Sequence, residues 1–163
     1  MATHLKNLSD FSHTTVPSGS GLRFAIVVAE WNARITGALY EGALQTLLKH
    51  GVEENAIITA AVPGSFELTA AADMLLSRKP ELDAVICLGC VIQGDTRHFD
   101  FICEAVANGI TNASLKHHKP VIFGVLTTDN EEQALDRAGG KHGNKGDEAA
   151  ITALKMAAWA ASL

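Results

Sequence analysis

Four nearly unbroken apolar runs, each of strand length, limit the fold of this sequence more than any other feature. They cover residues 22–29, 56–62, 84–92 and 121–126. Runs without polar alternation are typical of strands that are buried on both faces, as in parallel sheets. Helical patterns separate the runs, so strands and helices alternate along the chain. The sequence therefore predicts a parallel sheet whose right-handed crossovers place helices on both faces.

Five helices are predicted from apolar residues spaced three to five apart and from the glycine or proline that ends each pattern. They cover about residues 35–50, 66–78, 100–116, 129–137 and 145–161. The order β-α-β-α-β-α-β-α-α predicts a flavodoxin-like α/β fold, a three-layer α/β/α sandwich around a four-stranded parallel sheet. We divide the chain into an N-terminal arm, residues 1–21, which is polar, and a single α/β domain, residues 22–163.

Composition and charge exclude several classes of protein. The chain has 13 basic and 18 acidic residues, a net charge of −5, and no Lys/Arg cluster. We therefore expect no nucleic acid and no membrane surface as a partner. The apolar runs are too short to span a membrane, and residues 1–6 lead into no signal-peptide core. Three cysteines cannot all pair, which favours a reducing, cytoplasmic location.

Ligands of open parallel sheets bind beyond the carboxyl ends of the strands, so the segments after each strand are the candidates for chemistry. In residues 94–98, a glycine turn, helix N–H groups and the Thr96 hydroxyl can hold an anion. The imidazole of His98 is a side chain suited to proton transfer. The local sequence is also that of a Thr-capped helix start with a surface histidine.

Two other strand ends carry candidate binding groups. Ser65 and Glu67 offer donors and acceptors for a polyhydroxyl chain, or they cap the following helix. Trp31 could stack on a flat heterocycle, or it could cover the end of the sheet. Both interpretations stay open on these residues by themselves.

A basic, glycine-rich segment covers residues 137–146 in an otherwise acidic chain. Arg137 could bind a phosphate in bidentate fashion, or the segment could be a flexible turn between helices. It is not a Walker A loop, because no strand runs into it and the Gly-Lys-Ser/Thr ending is absent.

A Cys-x-x-Cys pattern joins Cys87 and Cys90, but both lie within a predicted strand. Side chains three apart in a strand point to opposite faces, so the two thiols cannot form a disulfide. We predict small core residues here. The histidines show no metal-ligand spacing, so we expect no metal site.

Taken in order along residues 22–161, these segments resemble the lumazine synthase family of riboflavin biosynthesis. The segments that carry the resemblance are Trp31-Asn32, 62–68, 91–100, 123–127 and 133–146. The resemblance implies a condensation of 5-amino-6-(D-ribitylamino)uracil with 3,4-dihydroxy-2-butanone 4-phosphate, without a cofactor. The product is 6,7-dimethyl-8-ribityllumazine. The alternative is a homologue that binds a ribityl heterocycle without turnover. A flavodoxin-like FMN carrier would need a Ser/Thr-rich phosphate loop after the first strand, and residues 31–34 do not provide one.

The resemblance also implies a role for individual residues. His98 would move protons as the catalytic residue, and Trp31 and Phe123 would form opposite walls of the ring site. The residues implied for ribitylaminouracil are Trp31, Ser65, Phe66, Glu67, Cys90, Val91, Ile92 and Phe123. Those implied for the phosphate are Asp95, Thr96 and Arg137, and the secondary candidates are Asn32, Lys145 and Glu148.

Two of these positions depart from the commonest family pattern. Trp31 replaces a more usual phenylalanine, which preserves stacking. The Asp95 carboxylate would repel a phosphate unless it points away and offers only its N–H.

The family assembles as a homopentamer, in many members packed into a hollow 60-subunit shell, and the resemblance implies the same here. Each site would lie between two neighbouring subunits, with Phe123 and Arg137 supplied by the adjacent one. The arm would add a strand to a neighbour's sheet or form a disordered tail. Riboflavin synthase is the implied partner enzyme.

Overall fold

A four-stranded parallel sheet forms the centre of the fold in the computed structural model, which describes residues 7–163. Its strands are β1 (Phe24–Ala29), β2 (Ile57–Val62), β3 (Ala84–Ile92) and β4 (Val121–Thr128). They lie in the order β2-β1-β3-β4, and each neighbouring pair is parallel. The predicted flavodoxin-like α/β fold is confirmed. Residues 1–6, for which no signal peptide is expected, lie outside the described residues.

Five α-helices connect and cover the strands. They are α1 (Ala33–Lys49), α2 (Leu68–Arg78), α3 (His98–His117), α4 (Glu131–Leu135) and α5 (Lys145–Ala160). The boundaries differ from the predicted ones mainly at helix starts. Residues 65–67 form a 3-10 turn before α2, and α3 begins two residues earlier than expected, at His98. Asn130 caps α4, because its side-chain oxygen accepts a hydrogen bond from the Gln133 N–H at 2.9 Å.

Each face of the sheet has its own hydrophobic core. Along β1, Phe24 and Ile26 point into the core beneath α1 and α5, whereas Ala25 and Val27 point into the core beneath α2 and α3. All four side chains are fully buried. A strand that is covered on both faces has no polar positions, which explains the unbroken apolar runs.

The two cysteines of the Cys-x-x-Cys pattern belong to different cores, as predicted. Cys87 lies in the α2/α3 core and Cys90 in the α1/α5 core, and both thiols are free. Burial raises the pKa of the Cys87 thiol to about 12. Burial, with a smaller contribution from Glu131, raises the pKa of Cys90 to about 11. Neither thiol is ionised near neutral pH, so both act as small core side chains.

Helices on the same face of the sheet are held together in two different ways. On one face, α5 approaches α1 so closely that a Cβ at Gly146 would overlap the Leu39 carbonyl oxygen. On the other face, Asp73 of α2 accepts from Lys116 Nζ and contacts His117 Nε2, both at 2.7 Å. Hydrogen bonds from Lys116 and then His117 lower the pKa of the Asp73 carboxyl.

A short hairpin and the N-terminal arm complete the described chain. The hairpin pairs β5 (Ala138–Gly140) with β6 (Gly143–Asn144), where a turn without strands was predicted. Residues 7–21 of the arm contain no strand, and Phe11 packs against the α1/α5 core. Strand addition to a neighbour stays a prediction. Within residues 7–163, no helix combines the length and the hydrophobicity needed to cross a membrane.

Candidate active site

A cavity of about 810 Å³ opens beyond the carboxyl ends of β1, β2 and β3. We call it the Trp31 cleft. It lies where an open parallel sheet is expected to bind its ligands. Ten of the residues implied for the site line it: Trp31, Asn32, Ser65, Phe66, Glu67, Cys90, Val91, Ile92, Thr96 and His98.

The first wall of the Trp31 cleft is the turn between β1 and α1. Asn32 adopts a left-handed backbone conformation, with φ 62°, and its side-chain Nδ2 donates to the Cys90 carbonyl oxygen at 3.0 Å. This bond ties the end of β1 to β3 and fixes the turn. Trp31 is thereby held at the cleft mouth with 73% of its surface exposed. An exposed indole at this position offers a flat apolar face to a ring or to another subunit.

The second wall is the 3-10 turn at residues 65–67. Phe66 is half-exposed, and Glu67 places a carboxylate at the cleft. The Ser65 hydroxyl, in contrast, is buried against Gly89 of β3 and has no hydrogen-bond partner among the described residues. The Ser65 hydroxyl is therefore closed off from the cleft that the residue lines.

The third wall is the loop from β3 into α3. Its base is anchored, because the Gln93 N–H donates to the Thr128 carbonyl oxygen at 2.8 Å. The Thr96 hydroxyl accepts from the His98 N–H at 3.4 Å, so it takes part in the start of the helix while also lining the cleft. Asp95 is exposed and does not line the cleft. The helix start therefore faces the cleft with N–H donors and a histidine, which suits an anion.

A second cavity, of about 870 Å³, lies between β4, α5, the hairpin and the arm. We call it the Arg137 cleft. Four more of the implied residues line it, Phe123, Arg137, Lys145 and Glu148, whereas Asp95 lines neither cleft. Within residues 7–163, the two clefts have no lining residue in common. The chain thus brings the implied site residues together in two separate groups.

Charge in the Arg137 cleft is mostly positive. Arg137 is held in place by a hydrogen bond from Nη1 to the Gln133 carbonyl oxygen at 2.9 Å. Lys145 pairs with Glu148 at 3.0 Å, and both side chains are largely buried. Lys155 also lines the cleft. Three cations around one carboxylate favour an anionic ligand.

The sequence analysis missed the arm residues that line the Arg137 cleft. Phe11, His13 and Thr14 belong to its wall, although they lie more than a hundred residues before Arg137. Their local sequence carries no pattern that could have indicated this contact. Among the described residues, no group of three or more His, Cys, Asp or Glu side chains could hold a metal ion.

Comparison with known proteins identifies one family that this chain matches. The family model described as 6,7-dimethyl-8-ribityllumazine synthase matches residues 21–161. The chain belongs to this family. Proteins of that name from three bacteria are similar over nearly their whole length.

The protein from Cytophaga hutchinsonii is 65% identical over 158 residues, which cover 97% of this chain and 98% of the relative. The proteins from Porphyromonas gingivalis and Parabacteroides distasonis are 57% and 56% identical, and each alignment covers 96% of this chain and 97% of the relative. The family and its enzymatic nature, as predicted from the ordered motifs, are confirmed.

Proposed function

We propose that this chain condenses 5-amino-6-(D-ribitylamino)uracil with 3,4-dihydroxy-2-butanone 4-phosphate to give 6,7-dimethyl-8-ribityllumazine, one phosphate and two waters. The amine forms an imine with the ketone and releases the first water. Phosphate is then eliminated, and ring closure releases the second water. The observation that carries the proposal is the division of the family's site residues between two clefts of complementary chemistry.

The Trp31 cleft would bind the ribitylaminouracil. The exposed indole stacks on the pyrimidine, and Glu67 accepts from the ribityl hydroxyls. Backbone groups of residues 90–92 bond the uracil edge, although the Cys90 carbonyl oxygen already accepts from Asn32. His98 lies at the same cleft and moves the protons of imine formation and ring closure.

The Arg137 cleft would complete the site from a neighbouring subunit. Phe123 supplies the second apolar wall of the ring slot, and Arg137 binds the phosphate together with Thr96 and the start of α3. Asp95 then contributes its N–H only, since its exposed side chain lies outside the cleft wall. Lys145 and Glu148 form an ion pair in the same cleft, so each compensates the charge of the other beside Arg137.

The family implies oligomeric assembly, and we extend this to a homopentamer and a 60-subunit shell. The support is that the proposed site joins two different clefts, which is a head-to-tail contact, and such a contact forms a closed ring when its rotation closes. The short hairpin after Arg137, without a longer insertion, is consistent with a shell. We also propose a cytoplasmic location, supported by three free cysteines, and riboflavin synthase as a partner.

The activity is tested by mixing both substrates with the purified protein. We expect phosphate release and lumazine fluorescence to rise together in proportion to enzyme concentration. His98→Ala should slow turnover by roughly ten- to a thousandfold while assembly, followed by light scattering, stays intact. A protein that binds the ribityl compound but releases no phosphate would be the non-catalytic homologue instead.

Arg137→Ala separates the two substrates. Because Arg137 is assigned to the phosphate, we expect a large rise in KM for the butanone phosphate and little change in binding of ribitylaminouracil. An equal loss for both substrates would contradict the assignment.

A further inference from the structure

A short hairpin joins the two cationic residues Arg137 and Lys145. The Lys145 N–H donates to the Arg137 carbonyl oxygen at 2.8 Å, which closes the base of the hairpin. Within it, Gly139 and Gly143 have φ values of 102° and 79°, a region that favours glycine. Glycine-rich backbone has many accessible conformations unless neighbouring groups restrict it. Besides the contacts of Arg137 with Gln133 and of Lys145 with Glu148, the placement of the two flanking cations therefore depends on what holds the hairpin.

Residues 7–9 of the arm hold this hairpin by two hydrogen bonds to its main chain. The Leu8 N–H donates to the His142 carbonyl oxygen at 2.8 Å. In the opposite direction, the Asn144 N–H donates to the Ser9 hydroxyl at 2.9 Å. The two bonds lie on either side of Gly143, so they fix the returning strand at two points.

Gly143 itself is adapted to this contact. A Cβ at that position would overlap the Asn7 side-chain oxygen and would lie 2.8 Å from the Ser9 nitrogen. Gly139 also has a positive φ, but none of the arm residues 7–21 lies within 4 Å of its Cβ position. The close approach of the arm thus selects glycine at Gly143 for a reason that Gly139 does not share.

Beyond the hairpin, the arm continues along the wall of the Arg137 cleft. Phe11, His13 and Thr14 line the cleft, and the Thr14 hydroxyl accepts from Lys155 Nζ of α5 at 2.5 Å. The arm is therefore attached to the hairpin at residues 8 and 9 and to α5 at Thr14, and the residues between them form part of the cleft wall.

We propose that residues 7–14 are a positioning element for the phosphate of the butanone substrate. By holding the hairpin, they set where Arg137 and Lys145 lie, without touching the reacting atoms. This inference deepens the proposed function and rests on it. It differs from the family's expected strand addition, because it assigns the arm a role in its own subunit's cleft.

Ser9→Ala tests the proposal, because it removes the acceptor of the Asn144 N–H. Ser12→Ala is the matched control, since its hydroxyl donates within the arm, to Asp10 at 2.7 Å, rather than bonding to the hairpin. We measure kcat, KM for each substrate, and the inhibition constant of inorganic phosphate. Ser9→Ala should raise KM for the butanone phosphate and the phosphate inhibition constant by about three- to tenfold, the effect of one hydrogen bond.

In the same variant, kcat and KM for ribitylaminouracil should stay at the wild-type values. A purely structural role would change these constants as well, together with the urea midpoint. Unchanged phosphate inhibition in Ser9→Ala, or an equal change in Ser12→Ala, would overturn the proposal.

A second pair of variants keeps the test independent of one hydroxyl. Gly143→Ala and Gly139→Ala both place an alanine at a positive φ, but only the former displaces the arm residues 7–9. We expect the weaker phosphate binding in Gly143→Ala alone. If Gly143→Ala does not fold, the comparison of Ser9→Ala with Ser12→Ala tests the proposal.

The failure of this proposal can be told apart from failure of the proposed function. A wild-type protein that makes no lumazine refutes the function, whereas its binding of inorganic phosphate can still be measured by calorimetry. A wild-type protein that turns over, with Ser9→Ala and Gly143→Ala indistinguishable from it, refutes only the positioning role.

Discussion

Two impaired variants, His98→Ala and Arg137→Ala, should recover activity when their subunits are assembled together and the butanone phosphate is kept below its KM. His98→Ala disables the Trp31 cleft, and Arg137→Ala disables the Arg137 cleft. Since the clefts share no lining residue among the described ones, each substitution leaves the other cleft of the same subunit intact. A site between two subunits can then combine an intact Trp31 cleft from one variant with an intact Arg137 cleft from the other.

The size of the recovery follows from the two-cleft arrangement. In an equal, random mixture, half of the Trp31 clefts are intact, and each meets an intact Arg137 cleft half of the time. About a quarter of all sites are therefore wild-type when subunits contact head to tail. We expect the co-assembled mixture to reach about a quarter of the wild-type rate, well above the mean of the two separate variants.

The assay is phosphate release after the two proteins are unfolded, mixed and refolded together. The control mixes wild type with the His98→Ala/Arg137→Ala double variant. Sites between subunits predict about a quarter of the wild-type rate for this mixture also, because both partners must be wild type. Sites within a subunit predict about half for the control and no recovery for the single variants. That second pattern would refute the shared site.

Three further predictions concern stability, each measured by urea denaturation. Ser65→Ala should raise the free energy of unfolding by about 1 kcal/mol, because it removes a buried hydroxyl without a partner. Gly146→Ala should lower it by about 1–3 kcal/mol, because the added methyl overlaps the backbone of α1. Asp73 stabilises the fold fully above its ordinary pKa of 3.8 and loses this effect as pH falls through its lower folded value. In Asp73→Asn, the free energy of unfolding should therefore fall less steeply as pH is lowered. If it falls as steeply as in the wild type, the contacts of Asp73 with Lys116 and His117 do not cause the acid dependence.

The central sheet could be predicted because burial on both faces leaves a direct trace in the sequence. Phe24 and Ile26 serve one core and Val27 the other, so β1 contains no polar position that would break the run. The hairpin left no such trace. Its strands are only three and two residues long, and its glycines show no hydrophobic periodicity.

The candidate site was predictable to the extent that it lies at strand ends. The loops after β1, β2 and β3 meet in one cleft because parallel strands end at the same edge of the sheet. The arm contact was not predictable, since the bond between Ser9 and Asn144 joins residues 135 apart along the chain. The buried position of the Ser65 hydroxyl depends on Gly89 of a different strand and is equally invisible in local sequence.

The presence of two different clefts on each subunit determines how many complete active sites an assembly can contain. Every copy carries one surface of each kind, and the two are not interchangeable. A row of copies with free ends would leave one unmatched surface at either tip, so its yield per chain would fall as the row shortens. Joining the two ends into a ring removes that loss, and under the proposed arrangement the assembly then has one complete active site for each polypeptide.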